Sequence, residues 1–502
     1  QPLAVAALAI GWTLNKLSLF GIAVIWPPLI SESIGEAEPM GLGSCFSLAL
    51  LALSLSLLTA PGRAEPADQP KPPKQLKVME MPRGFLEAAN FGDMLGLPDW
   101  MEMSLSLGSQ PMGNITGSQL RTFSAIDMQA IDLGLGSGLI KDNDDKSEFD
   151  RWSFRASIAS YLGPPPYFSN EIGAAFPLQS LVDNPGISEG FWLQGLWLER
   201  KSQELTLKFG NNISIDPLLA APAYNFYVNS TINSTLNLSL PGYPYAPSTS
   251  IGGIAQWHAT DRLTINYGGF QLSNQRAGSQ VGVWKGWRFN LDQSDGFVQA
   301  LRLDWSLSDI PPGPLLICMS ADEPTVVIRH SEGCQRPMRL ENQLPDPVLQ
   351  LGAITGSWRF PQLNNSQRWE NHANSIFTSA TVDVPFALGH GSRLWGSATV
   401  GTEPAINQVP LFIEGGWITQ GVIPNRPFDS LVLGLSRSNF SPYARSNSGQ
   451  RQSYEGMIEL GYILQIDSKL ALQPGVQVIV NPDGTNDNET LVVPGMQVSF
   501  NW

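Results

Sequence analysis

The chain has 502 residues, 42 % hydrophobic and only 15 % charged, with 48 Gly, 39 Pro and a formal net charge of −14. This acidity argues against a nucleic-acid partner and against a pore dominated by positive charge. The length fits three globular domains or one large closed barrel. A mean hydropathy of −0.06 suits the barrel, in which an apolar outer face is balanced by a wet lumen and polar loops.

Between Pro2 and Ile30 the only charge is Lys16, so this stretch is apolar enough to span a bilayer as a helix. The chain begins at Gln1, however, and Met40 precedes an apolar run, Phe46 to Leu58, that ends in Pro61-Gly62-Arg63-Ala64. Residues 40–64 read as a secretory signal cleaved after Ala64, and residues 1–39 as an over-extended or upstream segment. Glu65 then starts the mature chain; losing Lys16, Arg63, Glu32, Glu36 and Glu38 leaves the balance at −13. Cys45 falls in the signal, leaving Cys318 and Cys334 in an oxidising compartment, where a disulfide is expected. Residues 65–99 read as a Pro- and Lys-rich periplasmic linker and a short amphipathic helix carrying Phe85, Leu86, Ala89, Met94 and Leu97.

From residue 100 to 502 the chain settles into short runs with a two-residue period. There are seventeen candidates, from Trp100–Leu107 to Leu491–Trp502, including Trp284–Leu291, Thr122–Leu135, Leu263–Gln271, Ile376–Val384, Leu411–Gln420 and Leu470–Val480. Single-chain bacterial barrels have an even number of strands, so one candidate is false or one strand is missing. In Tyr454–Ile466, Tyr454, Ile458, Leu460, Tyr462 and Leu464 share one face and Glu455, Glu459 and Gln465 the other. In Phe297–Leu307, Leu301, Leu303 and Trp305 oppose Arg302 and Asp304. Trp152 and Phe154 alternate with Arg151 and Arg155. In a barrel the charged set, Arg151, Arg155, Arg302, Asp304, Glu455, Glu459 and Gln465, faces a wet lumen. A soluble sandwich has the same period with the faces reversed. The export signal decides for an all-β transmembrane antiparallel β-barrel, together with a last strand placing Phe500 and Trp502 on its apolar face.

Turn lengths agree. Ala259–Arg262, Pro424–Pro427 and Ile466–Lys469 are tight, whereas 162–190, 211–250 and 307–348 are long. Asn225–Ser250 either folds inward to narrow the lumen or lies exposed. Counting back from a periplasmic carboxyl terminus puts 307–348 on the periplasmic side, unless a strand such as Thr325–His330 has been overlooked.

Nothing points to catalysis, a metal or a cofactor. His258, His330, His372 and His390 sit in no nucleophile motif, and there is no clustered Cys/His ligand set. Glu455 and Glu459 stand about 13 Å apart along a strand, wider than glycosidase pairs of about 5–10 Å.

The segment from Leu411 to Trp502 resembles the carboxyl-terminal third of the carbohydrate-selective (OprB-type) porins of Gram-negative outer membranes. The residues that carry this are Glu414-Gly415-Gly416, Gln420 to Pro424 with Arg426-Pro427, Glu459-Leu460-Gly461-Tyr462, Leu472-Gln473-Pro474 and Asn481-Pro482-Asp483-Gly484. Weaker matches run from Gly96 to Trp100, Pro111 to Asn114 and Leu344 to Gln350. The resemblance implies a sixteen-stranded, monomeric or loosely associated barrel through which sugars and other small hydrophilic solutes diffuse passively. It also implies outer-membrane lipid and the barrel assembly machinery as partners. Two departures, the Cys-bearing insertion and Asn114-Ile115 where an Asn-Pro-Gly-Gly type turn is common, bear on sugar selectivity. The alternatives are a general ion and small-solute porin, or a structural or adhesion barrel with a blocked lumen.

Overall fold

The computed structural model describes residues 94–98, 100–117, 121–136, 151–162, 168–181, 190–202, 204–233, 244, 250–272, 284–285, 296–308, 316–318, 326–328, 337–339, 344–384, 389, 391–424, 426–446, 448–467 and 469–502. Sixteen antiparallel strands follow one another in chain order. They are β1 (Met101–Gly113), β2 (Phe123–Leu135), β3 (Arg151–Leu162), β4 (Gly190–Lys201), β5 (Leu205–Ile213), β6 (Ser250–His258), β7 (Leu263–Gln271) and β8 (Phe297–Ser306). The second half comprises β9 (Val348–Gln362), β10 (Asn365–Asp383), β11 (Gly391–Gly401), β12 (Leu411–Gln420), β13 (Ser430–Asn439), β14 (Tyr454–Gln465), β15 (Leu470–Val480) and β16 (Leu491–Asn501). Each pairs with its chain neighbours, and β16 pairs with β1. At this seam Ser106 stands opposite Asn501 and Met112 opposite Gly495, while Leu105 and Trp502 exchange main-chain hydrogen bonds of 2.7 and 2.8 Å. Closure leaves no unpaired edge, as a bilayer interior requires.

The two faces are those of a membrane barrel. On β14, Ile458 and Leu460 are exposed to the outside while Glu455, Met457 and Glu459 are buried inside. Phe297, Trp305, Leu349, Leu351, Leu394, Ile413 and Leu435 likewise stand exposed on the outer wall. A soluble sandwich would bury these side chains and expose the carboxylates.

Both termini of the barrel lie at one end, together with the short connections 202–204, 259–262 and 466–469. The long connections 163–189 and 214–249 lie at the other. Residues 307–347 emerge at the terminal end, and Val326–Ile328 is not an overlooked barrel strand: it pairs with Leu316–Cys318 in a separate three-stranded sheet completed by Pro337–Arg339. Trp284–Leu291 is the false candidate among the seventeen. Its described pair, Trp284–Lys285, runs parallel to Phe191–Trp192, and β7 bonds directly to β8. Strand β10 begins at Asn365 rather than Ile376, because the β9–β10 hairpin projects beyond the rim, where both faces are polar and the two-residue period fades. Cys334, the Arg151 side chain, residues 1–93 and so most of the expected short helix lie outside the described residues.

Candidate functional site

Two of the long connections turn inward. Among the described residues, 168–181, with α1 (Phe168–Ile172), and 214–233, with α2 (Asp216–Leu219) and α3 (Ser230–Asn233), occupy the lumen. Their composition dictates this. Ile215, Leu218, Leu219, Tyr224, Phe226, Tyr227, Val228 and Ile232 are too apolar for a loop in water, and burying each such side chain is worth about 1.5–3 kcal/mol. Ile215, Leu218 and Leu219 pack against Phe270, Val298, Ile354 and Phe377 of β7 to β10. Tyr224 to Ile232 pack against Trp395, Ile418, Val432, Met457 and Ile479 of β11 to β15.

Polar side chains of the wall fix the backbone of these segments. The Glu459 carboxyl accepts the Val228 and Asn229 amides, both at 2.8 Å. Asn229 donates to Gln477 at 2.9 Å, Gln477 donates to the Leu178 carbonyl at 3.1 Å, and Gln473 donates to the Phe226 carbonyl at 2.9 Å. The Tyr227 hydroxyl donates to the Leu433 carbonyl at 3.1 Å and accepts from the Trp395 indole at 2.8 Å. Burial, opposed by that indole bond, holds the Tyr227 hydroxyl above its usual range, so it remains a neutral donor. Tyr224 donates to Glu414 at 2.5 Å. Gly416 permits the close approach of Tyr227, since a Cβ there would lie 2.3 Å from the Tyr227 hydroxyl oxygen.

The residues expected to line the pore divide into three groups. Arg302 pairs with Asp304 at 2.7 Å and donates to the Pro217 and Ala220 carbonyls around α2, while Asn266 and Gln350 donate to Asp304. Glu455 accepts the Ala175 and Asp483 amides. Arg302, Glu455 and Glu459 therefore face inward but meet inserted backbone rather than open water. Gln465 is buried at the terminal end; its amide donates to Asp429, which also accepts Tyr462 and a bidentate Arg426 at 2.8 and 2.9 Å. Among the described side chains of this set, Arg155 stays the most accessible on the inner wall, in an ion pair with Glu102 at 2.8 Å.

Arg155 belongs to the terminal-end part of the inner wall of β1 to β5; nearer the loop end the inserted segment 168–181 bonds Gln110 and packs on Met112 of β1, and Trp197 borders the cluster of Ile215, Leu218 and Leu219. Glu102, Gly134, Arg155 and Trp197 stand in one row across β1 to β4, and Glu199 stands opposite Lys208 on β4 and β5. The Lys208 ammonium lies 3.8 Å from the centre of the Trp197 ring, and Glu199 also meets Lys201 at 2.8 Å. Both signs of charge and one large ring thus share a patch of the inner wall. Sequence reasoning missed Glu102, Trp197, Glu199 and Lys208, although Glu102 and Lys208 alternate with Leu105 and Leu207 as inward residues should.

The family model described as carbohydrate-selective porin, OprB family, matches residues 168–502. Among solved structures, OprB of Pseudomonas putida at high pH superposes with a TM-score of 0.64 at 17 % identity, covering 82 % of this chain and 96 % of that one. The same protein at low pH matches with a TM-score of 0.43 at 12 % identity, covering 82 % and 94 %. OmpT of Vibrio cholerae matches with 0.41 at 8 %, covering 80 % and 97 %. No curated protein matches the sequence. With a family match over two thirds of the sequence and a closed sixteen-stranded barrel, the chain belongs to the OprB family of carbohydrate-selective porins of the outer membrane.

Proposed function

We propose that small, roughly neutral hydrophilic solutes, sugars foremost, pass down their gradient past the inner wall of β1 to β5 that carries Glu102, Arg155, Glu199 and Lys208. The observation that carries this reading is the division of the lumen. Inserted segments pack on the inner faces of β7 to β16, on Gln110 and Met112 at the loop end of β1, and against one side of Trp197, while Glu102, Arg155, Glu199 and Lys208 stand on the inner wall of β1 to β5 toward the terminal end. An aromatic ring offers its face to the C–H side of a pyranose, and flanking charges bond its hydroxyls. Because both signs are present, no net charge is demanded of the solute. At physiological salt a Debye length of about 8 Å confines the field of the acidic chain to the wall. Liposomes containing the purified protein are expected to swell in isosmotic sugar and to show weak cation preference in planar bilayers. Lys208→Glu removes one cation and adds one anion, and is expected to raise the cation-to-anion permeability ratio severalfold. An unchanged ratio would place the path elsewhere. A structural barrel is the second reading, favoured by the filling of half the lumen; neither swelling nor conductance would establish it.

We also propose that the mature chain runs from Glu65 with a linker to residue 99 and a barrel from 100 to 502, and that Cys318 and Cys334 are joined. Freshly isolated envelopes treated with a thiol reagent are then expected to leave both cysteines unlabelled until reduced.

A further inference from the structure

On the inner face of the closing seam, Gln110 of β1 is completely buried. Its Nε2 donates to the Gln497 side chain of β16 and to the Ser180 hydroxyl, the latter at 2.8 Å. Its Oε1 accepts the Leu181 amide at 3.0 Å, and its main-chain carbonyl accepts the Gln179 side chain. The tip of the first inserted segment, 178–181, therefore lies along the seam itself. Leu178 shares a buried cluster with Met112, Leu491 and Val493, and Leu181 lies over Gly108, where a Cβ would stand 2.8 Å from its Cδ1. Ser180 carries the hold further, because its N–H donates to the Val228 carbonyl of the second inserted segment at 3.0 Å.

The seam needs this help at the same height. Among the described residues, its ladder runs from Ser106 opposite Asn501 to Ser109 opposite Val498, skips two positions, and resumes with Met112 opposite Gly495. Leu105 and Trp502 exchange main-chain bonds, and in an antiparallel pair such bonding positions recur at every second residue. In this register Pro111 facing Met496, and Pro494 facing Gly113, fall on bonding positions, yet a proline has no N–H to give. Each of these pairs therefore has one donor where it should have two. Prolines are normally kept to sheet edges, and a closed seam in a bilayer is no edge. We propose that Gln110 positions the tip of segment 168–181 in the lumen and that this tip in return staples the loop-end half of the seam, which couples closure of the barrel to placement of the constriction. Only the permeation readout of this proposal rests on the reading of a conducting barrel; the seam is read without conduction.

The test compares wild type, Gln110→Ala and Gln110→Ala/Pro111→Ala as detergent-purified barrels, by amide hydrogen exchange read with mass spectrometry and by single-channel conductance in planar bilayers. Gln110→Ala is expected to speed exchange about tenfold at the tip, 178–181, and at the loop-end seam, 109–113 with 494–498, and to raise conductance about 1.5-fold. Pro111→Ala returns a donor to the seam but nothing to Ser180 or Leu181. The double variant should therefore regain seam protection while its tip exchange and conductance stay altered, a separation that a residue acting only in the wall would not give. Faster exchange at the seam alone, or a loosened tip with wild-type conductance, would overturn the positioning role. Faster exchange at the tip alone would overturn the staple, and wild-type rates at both would overturn the whole proposal. Should Gln110→Ala not assemble, Ser180→Ala leaves every seam atom in place and is expected to speed exchange about threefold at tip and seam; wild-type rates at either would overturn the proposal. A wild-type barrel that does not conduct refutes the passage of solutes, and exchange still decides the seam.

Discussion

Replacing Glu459 by Ala is expected to raise the single-channel conductance of the reconstituted barrel at least twofold and to admit larger oligosaccharides. The Glu459 carboxyl is the acceptor for two consecutive buried amides, Val228 and Asn229, at the tip of the inserted segment. Without it both N–H groups are buried and unpaired, at a cost of about 1–3 kcal/mol each. Gln477 and Gln473 hold the same turn from β15, but they bond the Asn229 side chain and the Phe226 carbonyl and cannot replace an acceptor for the amides. The apolar anchors, Tyr224 and Tyr227 against Trp395, remain, so the segment shifts and fluctuates rather than leaving the lumen. Glu459→Gln retains one carbonyl oxygen and should give an intermediate conductance. The barrel itself should survive in both variants, since none of these bonds belongs to the strand ladder. Conductance and size limit equal to wild type in Glu459→Ala would mean that apolar packing alone positions the constriction.

The residues behind the family resemblance acquire a physical role from this arrangement. Glu414, Gly416, Glu459 and Gln473 all meet residues 224–229. Asn481 to Gly484 form a turn in which Asn481 and Asp483 take positive φ, presenting the Asp483 amide to Glu455. Arg426, Tyr462 and Gln465 converge on Asp429 at the terminal end. These motifs are sockets for the inserted segments and ties for the turns. None of them bonds Glu102, Arg155, Glu199 or Lys208, and so they identify the fold and constriction more directly than the solute.

What alternation reveals is the face on which a side chain stands. Leu263–Gln271, Leu411–Gln420 and Leu470–Val480 begin and end where the two-residue period does, because one face meets lipid along the whole strand. Alternation also puts Arg302, Glu455 and Glu459 inside. What fills the inside is a different matter. Whether an inward carboxylate meets water or a loop amide depends on contacts between residues more than 200 positions apart, as with Glu459 and Val228, and no local pattern encodes them. Asn225–Ser250 was equally consistent with an inward or an exposed course. Its described part turns inward because Phe226, Tyr227, Val228 and Ile232 find apolar partners on β11 to β15. Trp284–Lys285 shows the converse limit: alternating composition produces a strand pair, but parallel to β4 and outside the closed ladder.

Deleting Phe500 to Trp502 is expected to abolish assembly of the barrel. Trp502 is the last residue bonded across the seam, and its N–H and C=O both pair with Leu105. Beside it, Phe500 stands opposite Leu107 on one side and Leu470 on the other, so a three-residue truncation strips bonds from β1 and β15 together. The loss exposes an unpaired edge where no water can satisfy it, at several kcal/mol per orphaned group. The side chains add a second element. Phe500 and Trp502 pack edge to face with centres 6.0 Å apart, and the Lys469 ammonium lies 5.0 Å from the centre of the Trp502 ring. An aromatic with a cation over it belongs at the membrane–water boundary, where it sets the depth of the seam. Trp502→Phe keeps the backbone pairing and an aromatic face, and should assemble with reduced thermal resistance. Trp502→Asp keeps the pairing but places a carboxylate among Phe500 and lipid, and should assemble poorly. The measurement is the fraction of outer-membrane protein that migrates as a heat-modifiable, protease-resistant species. A truncation at Ser499 with wild-type amounts of that species would show that closure does not depend on the final three residues.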